Sequence, residues 1–170
     1  MKNGLIAAAA LVLSVTAAGA QTPQPADWVT LHFSADLNKN IDMAWQRMGG
    51  NELCGIAKYL DIKGCEVVSG TGELGSVRNI IVTTSPTPIV ENIVSRSKYS
   101  YTYAQPFTPI FYHGTMSIVA LSPTTSRLEY SLIWNQTAVG DAAAQAASRA
   151  SRQQRFQAAV DNMAAAANAP

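Results

Sequence analysis

Two residues of opposite charge stand on the apolar faces of two strand-like segments. Glu91 shares its face with Ile89, and Arg78 shares its face with Ile80, because alternate side chains of a strand point the same way. A lone buried charge is costly, so the two groups are expected to pair across adjacent strands. The pair could be purely structural, could anchor the head group of a ligand, or could supply a general base with a tuned pKa.

Tyrosines form the second candidate group. Tyr99, Tyr101 and Tyr103 alternate along one segment, and Tyr112 begins the next. If their common face is concave, the rings line a cavity, and each ring offers apolar area together with one hydrogen bond. The alternative is that Tyr99 lies at the rim and the others are ordinary core residues. Lys63 is a further candidate, either as a ligand contact or as an exposed lysine.

Two other patterns favour no chemistry. Residues 70–75 match G-x-G-x-x-G, but the dinucleotide site that this motif builds needs a helix directly afterwards. The text that follows, SVRNIIV, is strand-like, so a glycine-rich hairpin turn is predicted. His113 follows Tyr112 and is expected to face outward by alternation, and no G-x-S-x-G segment accompanies it.

The two cysteines, Cys54 and Cys65, lie eleven positions apart. In an exported chain they are candidates for a disulfide, and the alternative is two buried thiols that act as small apolar residues. They cannot complete a tetrahedral zinc site, and His32 and His113 are distant in sequence. No metal or other cofactor is therefore predicted.

The candidate residues are carried by segments of two periodicities. From residue 28 to residue 37 apolar and polar residues alternate, as in a half-buried strand. Asn40 can cap a short helix that ends near residue 48, and a second short helix is predicted for residues 52–60. Six strand-like segments follow between residues 65 and 134, and the short turns between them favour antiparallel pairing.

The last segment is rich in alanine and is typical of a long helix, from Asp141 as the N-cap to about residue 167. Phe156, Val160 and Met163 form one apolar stripe, and the first two are predicted to contact the ligand. Earlier on the same face stands Arg152, whose charged head is expected to reach water. This helix is long enough to cover a concave sheet, and its small side chains are expected to leave space beneath it.

The first twenty residues have the pattern of a secretory leader, with Lys2, an apolar run and small residues up to Ala20. Cleavage there predicts a periplasmic or secreted product with a flexible lead, residues 21–27, and one domain, residues 28–167. No integral membrane span is expected after cleavage. The formal net charge of +1 gives no electrostatic basis for binding nucleic acid.

Three stretches together resemble a known superfamily: residues 62–80, residues 88–94 (PIVENIV) and the final three strand segments, from YSYTYA to SRLEYSLIW. In this order they resemble the helix-grip, or START-like, superfamily of polyketide cyclases, plant pathogenesis-related and hormone-receptor proteins and lipid-transfer domains. The resemblance implies an α+β fold: a seven-stranded antiparallel sheet wraps around a long C-terminal helix, with two short helices after the first strand. It also implies a cavity for a small hydrophobic ligand.

Single positions also resemble the abscisic-acid receptor branch of that superfamily. Lys63, Arg78, Glu91, Tyr112 and Glu129 fall at polar or aromatic pocket positions. The gate segment differs, since TTSPTP replaces the Ser-Gly-Leu-Pro text, and the histidine–arginine latch is missing. The resemblance therefore implies a pocket at the same place and does not imply hormone reception.

Three functions remain open at this point. The leading prediction is binding or carriage of a small hydrophobic molecule, such as a lipid, aromatic or polyketide-like compound, outside the cytoplasm. The second is an enzyme of the cyclase/dehydratase type, in which Glu91 or a tyrosine moves protons. The third is an interaction module with a collapsed cavity. A cavity of roughly several hundred Å³ is expected for the first two functions.

Overall fold

The structure is a computed structural model, and it describes residues 27–170. The predicted leader, residues 1–20, and residues 21–26 of the predicted lead lie outside the described residues. Within residues 27–170, no helix is both long enough and apolar enough to cross a membrane.

Seven antiparallel strands form one sheet in the order β1-β7-β6-β5-β4-β3-β2. Successive strands from β2 to β7 are neighbours, because short turns join them, while β1 pairs with the last strand along its whole length. The predicted seven-stranded antiparallel sheet is therefore confirmed. The strands are β1 (Trp28–Leu37), β2 (Gly64–Ser69), β3 (Val77–Ile81), β4 (Ile89–Ser97), β5 (Ser100–Ala104), β6 (His113–Ala120) and β7 (Ser126–Asn135).

Alternation along the central strands separates a buried concave face from a more polar convex face. In β7, Leu128, Tyr130, Leu132 and Trp134 are buried, and the residues between them are half-buried or exposed. Glu129 is one of the exposed residues, so it lies on the convex face and not at a pocket position. This corrects the placement that the abscisic-acid receptor resemblance implies for Glu129.

Two short helical segments follow β1; the first has the predicted length, and the second is shorter than predicted. Helix α1 (Ile41–Arg47) begins as expected, because the side chain of Asn40 accepts a hydrogen bond from the amide of Met43. The second segment is only one turn of 3-10 helix, Ala57–Tyr59. The loop that precedes this turn is tight. Gly55 packs so closely on the Gly49 carbonyl that a Cβ on Gly55 would lie 2.0 Å from the carbonyl oxygen.

The long C-terminal helix α2 (Ala142–Asn168) covers the concave face, as predicted. Asp141 caps it by accepting a hydrogen bond from the amide of Ala144. Its buried residues are Phe156, Ala159, Val160, Met163 and Ala167, which confirms the apolar stripe in the second half of the helix. The first fourteen residues are exposed or half-buried, so the packing of α2 on the sheet depends mainly on its second half.

A disulfide joins Cys54, in the loop before the 3-10 turn, to Cys65 on the edge strand β2, with a Cα–Cα distance of 5.8 Å. It attaches the loop that follows α1 to the end of the sheet. The described residues contain no free cysteine.

Candidate ligand cavity

A cavity of about 100 Å³ lies between α2 and the end of the sheet where β3 and β5 finish and β4 begins. Its apolar lining comes from Leu60, Ile62, Ile80, Val82, Ile89 and Phe156. Its polar lining comes from Glu91, Tyr103, Gln105, Tyr112, Arg152 and Arg155. Leu60, Val82 and Arg155 also line an open groove on the outside of the protein, and we call these three residues the mouth.

The cavity is smaller than the expected size, because aromatic rings occupy most of the concave face. Four tyrosine rings are each only 2% exposed: Tyr101, Tyr103, Tyr112 and Tyr130. Tyr101 packs on Trp45, Tyr103 packs between Tyr101 and Tyr112, and Tyr130 packs on Phe156. The sequence predicts that the space lies beneath the alanine side chains of α2, but no alanine lines the cavity. Ala159 is fully buried and is absent from the cavity lining, since the core around it is filled.

Glu91 and Arg78 form the predicted pair, directly opposite each other on β4 and β3. The Nε and Nη2 atoms of Arg78 both meet Oε2 of Glu91, at 2.9 and 2.8 Å. Oε1 of Glu91 accepts a hydrogen bond of 3.0 Å from Nε2 of Gln105. Arg78 also donates to the carbonyl of Leu53. Both carboxylate oxygens are therefore engaged, which leaves Glu91 poorly suited to act as a general base.

The tyrosine hydroxyls fall into two groups. The hydroxyls of Tyr103 and Tyr130 share a hydrogen bond of 2.7 Å. Those of Tyr101 and Tyr112 are buried and make no hydrogen bond within the described residues. Burial raises the pKa of all four phenols, and by a large margin for Tyr103 and Tyr130, because the phenolate would lose its hydration. At neutral pH all four are hydrogen-bond donors.

Tyr99 lies apart from the four buried tyrosines and does not line the cavity. Its hydroxyl donates to Oδ1 of Asp42 at 2.5 Å, and its ring packs edge-on against Trp45. It therefore lies at the rim, on the side of α1, which is the alternative that the sequence left open.

Arg152 behaves differently from the prediction. Its head does not reach freely into water: the guanidinium carbon lies 4.8 Å from the Trp134 ring centroid and 5.7 Å from the Tyr112 ring centroid. Nη1 donates to the hydroxyl of Ser148, while Nε is buried without a partner. Burial lowers the pKa of this guanidinium, and the nearby charge of Arg155 acts in the same direction.

The predicted site residues divide according to their distance from the cavity. Glu91, Tyr103, Tyr112 and Phe156 line it. The remaining buried candidates, Arg78, Tyr101 and Val160, lie behind that lining and support it.

Lys63 and His113 stand apart from the cavity. Lys63 is exposed beside the disulfide, at the start of β2, and its side chain does not line the space. His113 is half-buried on the opposite face of β6 from Tyr112, and its Nδ1 lies 2.8 Å from the Phe111 carbonyl oxygen. Residues 27–170 contain no group of three or more potential metal ligands.

Four contributors were not singled out from the sequence: Gln105, Tyr130, Arg155 and Gly114. Gly114 pairs with Tyr103 across β6 and β5, and a Cβ on Gly114 would lie 2.3 Å from Cζ and Oη of Tyr103. The absence of a side chain at Gly114 therefore makes room for the Tyr103 ring. A glycine inside a strand is a known sign of close approach and could have indicated this contact. Gln105 follows the last strand residue of β5 and gives no comparable signal.

Comparison with known proteins shows similarity in structure only. No protein-family model matches the chain, and no curated protein matches its sequence. A norcoclaurine synthase point mutant from Thalictrum flavum, in complex with a transition-state analogue, is similar with a TM-score of 0.64 and 10% identity. The match covers 85% of this chain and 97% of that one. An aromatase/cyclase from a Streptomyces species gives a TM-score of 0.66 and 12% identity, over 83% of this chain and 94% of that one.

The chain has the helix-grip fold. The predicted resemblance is thus confirmed for the architecture, since these neighbours match nearly the whole described length. A second norcoclaurine synthase structure from the same plant, in complex with dopamine and hydroxybenzaldehyde, is similar with a TM-score of 0.52 and 12% identity. It covers 64% of this chain and 70% of that one. At these identities the helix-grip similarity defines the fold, and function has to be argued from the cavity itself.

Proposed function

We propose that this protein binds a small hydrophobic or amphipathic molecule, about the size of one aromatic ring, in the cavity under α2. The observation that carries this proposal is the composition of the cavity lining. Six apolar side chains enclose one space into which Tyr112, Arg152 and Arg155 also face. Binding sites typically combine such an apolar wall with a few convergent polar groups.

The volume sets the size of the ligand. Protein interiors are close-packed and contain few voids larger than a water molecule, so a cavity of about 100 Å³ is not ordinary packing space. An apolar cavity of about 150 Å³ in another protein is known to accept benzene. A structural neighbour was solved in complex with dopamine and hydroxybenzaldehyde, which are single-ring compounds. These observations support a monocyclic ligand and do not favour a long lipid.

The contacts of Glu91 favour binding over catalysis. Its Oε2 pairs with Arg78 and its Oε1 accepts a hydrogen bond from Gln105, so taking a proton from a substrate would disturb contacts that are already made. The raised pKa of Tyr103 and of Tyr112 keeps both phenols protonated at neutral pH, which makes them poor bases. The Tyr103 hydroxyl is shared with Tyr130, whereas that of Tyr112 has no hydrogen-bond partner among residues 27–170 and can donate to a ligand. A cyclase-type reaction would need a proton acceptor, and the carboxylate of this lining, Glu91, is already paired with Arg78.

We also propose that the protein is exported. The leader pattern of residues 1–20 and the Cys54–Cys65 disulfide both support an oxidising compartment, because disulfides persist there and are rare in the cytosol. N-terminal sequencing of protein isolated from its own cells is expected to begin at Gln21. Recovery from the cytoplasm with Met1 and the following leader intact would contradict export.

Titration of the protein with p-cresol, followed by NMR, tests the binding proposal. Saturable shifts are expected for wild type, and Ile89→Trp should weaken binding at least about tenfold because the indole fills the cavity. Val94→Trp is the matched control, since Val94 is 45% exposed on the same strand and lies outside the cavity lining. Absence of saturable binding to wild type, or equal binding by Ile89→Trp, would overturn the proposal.

A further inference from the structure

We propose that the ligand is a small aromatic acid, and that Arg152, Arg155 and the Tyr112 hydroxyl bind its carboxylate while its ring enters the cavity. This inference rests on the proposed function and narrows it to a chemical class. It follows from an imbalance of charge around the cavity that no described residue corrects.

The acid of the cavity is already neutralised. Glu91 pairs with Arg78 behind the lining, at 2.8 Å, so it offers no counter-charge to the other cations. Arg152 and Arg155 form no salt bridge with any acidic residue that the structure describes. The cavity wall and the layer directly behind it therefore contain one carboxylate and three guanidinium groups, those of Arg78, Arg152 and Arg155. A charge removed from water normally has a partner, so the half-buried Arg152 guanidinium indicates a site for an anion, and the exposed Arg155 adds positive charge beside it.

The position of Arg152 leaves two of its three nitrogens, Nε and Nη2, without a hydrogen-bond partner among residues 27–170. Trp134 covers the flat face of the guanidinium, at 4.8 Å from its central carbon. Only Nη1 has hydrogen-bond partners, the hydroxyl and carbonyl of Ser148. The edge that carries Nε and Nη2 makes no hydrogen bond with the described residues. A guanidinium edge binds a carboxylate through two parallel hydrogen bonds, which suits this orientation.

Tyr112 supplies a second and independent observation. It is only 2% exposed and lines the cavity, and its hydroxyl has no hydrogen-bond partner among residues 27–170. A buried polar group without a partner costs free energy, and a ligand oxygen that accepts its proton would remove that cost. The Tyr112 ring also lies beside Arg152, so the phenol and the guanidinium are in position to bind the same oxyanion.

Arg155 extends the positive charge to the mouth. It lies one helical turn after Arg152, is exposed, and lines both the cavity and the outer groove. Its guanidinium carbon lies 5.2 Å from the centroid of the Phe156 ring. The groove also contains Lys58 and one carboxylate, Asp61, so with Arg155 its lining carries a net positive charge on the path from solvent to the cavity.

Paired titrations with benzoate and benzamide test the inference, because the two ligands have the same ring and nearly the same shape but differ in charge. Wild type is expected to bind benzoate at least about tenfold more tightly than benzamide. Acetate, which has the carboxylate without the ring, is expected to bind much more weakly than benzoate. Tyr112→Phe should weaken benzoate more than benzamide.

Two charge-neutralising variants separate a local effect from a general one. Arg152→Gln is expected to abolish the preference for benzoate. Arg155→Gln is expected to reduce this preference, and because Arg155 is exposed the substitution should have little effect on stability. Arg149→Gln removes the same charge one turn earlier on α2, at a residue that contacts Gln136 and does not line the cavity, and should retain the preference. Thermal unfolding of each variant checks that it is folded.

The outcomes distinguish this inference from the proposed function. Failure of wild type to bind either ligand would overturn both. Equal affinity for benzoate and benzamide, or an unchanged preference in folded Arg152→Gln and Arg155→Gln, would overturn the aromatic-acid inference alone. Acetate binding as tight as benzoate binding would also overturn it, because the cavity would then contribute nothing to affinity.

Discussion

Arg78 and Glu91 meet through a single carboxylate oxygen: Nε and Nη2 of the guanidinium approach Oε2 at 2.9 and 2.8 Å. The other oxygen is left for Gln105, and the remaining Arg78 donor Nη1 reaches the carbonyl of Leu53. One ion pair thereby connects β3, β4, the residue after β5 and the loop that follows α1. The rings of Tyr101 and Tyr103 cover the guanidinium, at 5.6 and 5.1 Å from its carbon.

Glu91→Gln is predicted to lower the free energy of unfolding by about 3–5 kcal/mol, because it leaves Arg78 charged and buried without its partner. The double variant Arg78→Met/Glu91→Leu should recover much of this loss, since it removes both charges. Urea unfolding, monitored by tryptophan fluorescence, measures both changes.

The exposed pair of Arg127 and Asp36, at 2.6 Å, is the control for the buried pair. Asp36→Asn should change the free energy of unfolding far less than Glu91→Gln does, because solvent screens the interaction. Equal losses for Glu91→Gln and Asp36→Asn would show that burial of the Arg78–Glu91 pair has no energetic weight.

Gly114→Ala is predicted to destabilise the protein by about 1–3 kcal/mol, because the new methyl group would overlap the Tyr103 ring. Displacement of that ring should also weaken ligand binding, since Tyr103 lines the cavity. Gly64→Ala is the matched control: its Cβ would lie 3.7 Å from Cδ1 of Ile81, an ordinary contact. Thermal unfolding of the two variants side by side checks the prediction, and a stable Gly114→Ala protein with wild-type binding would contradict it.

Reduction of the Cys54–Cys65 disulfide is predicted to lower the free energy of unfolding by about 3 kcal/mol, the chain-entropy contribution for a loop of this length. Urea unfolding with and without a thiol reductant measures the change, and the Cys54→Ser/Cys65→Ser variant should reproduce it without reductant. Two titratable thiols in the oxidised native protein would show that the bond does not form.

Stability is predicted to fall as the pH rises above about 10, the ordinary pKa of tyrosine. Burial raises the pKa of Tyr101, Tyr103, Tyr112 and Tyr130 in the folded protein, so their protonated form is favoured by folding. Their contribution is present in full below the unfolded-state pKa and is lost as the pH rises toward the folded-state values. Ultraviolet titration of phenolate should show these four residues ionising together with unfolding. Their ionisation near pH 10 in a folded protein would contradict the assignment.

Much of the fold follows from periodicity. Strict alternation with short turns predicted the antiparallel sheet, and the apolar spacing of Phe156, Val160 and Met163 predicted the face of α2 that packs on it. The facing of Arg78 and Glu91 followed from the same alternation, because both lie among apolar residues of adjacent strands. The second short helix was too long in the prediction, since the close approach of Gly55 to Gly49 depends on contacts between residues that a local pattern does not contain.

The cavity itself was harder to predict than the sheet. Its volume depends on how four tyrosine rings and Phe156 pack against one another, and periodicity indicates the face of a side chain but not the space that it fills. Arg152 was expected to reach water for the same reason: its position on the helix could be read from the sequence, whereas the stacking on Trp134 could not. The ligand contact proposed for Lys63 depended on a resemblance, and the residue is exposed away from the cavity.

The disulfide stands one residue from a contact that supports the ligand site. Leu53, whose carbonyl accepts a hydrogen bond from Arg78, is followed directly by Cys54. Reduction frees this loop from β2 and so removes a constraint behind Glu91, which lines the cavity. Coupling between two sites is reciprocal in free energy, so a bound ligand should disfavour reduction at equilibrium by the same amount that reduction weakens binding. The protein would then report the redox state of its surroundings through its affinity for a small acid.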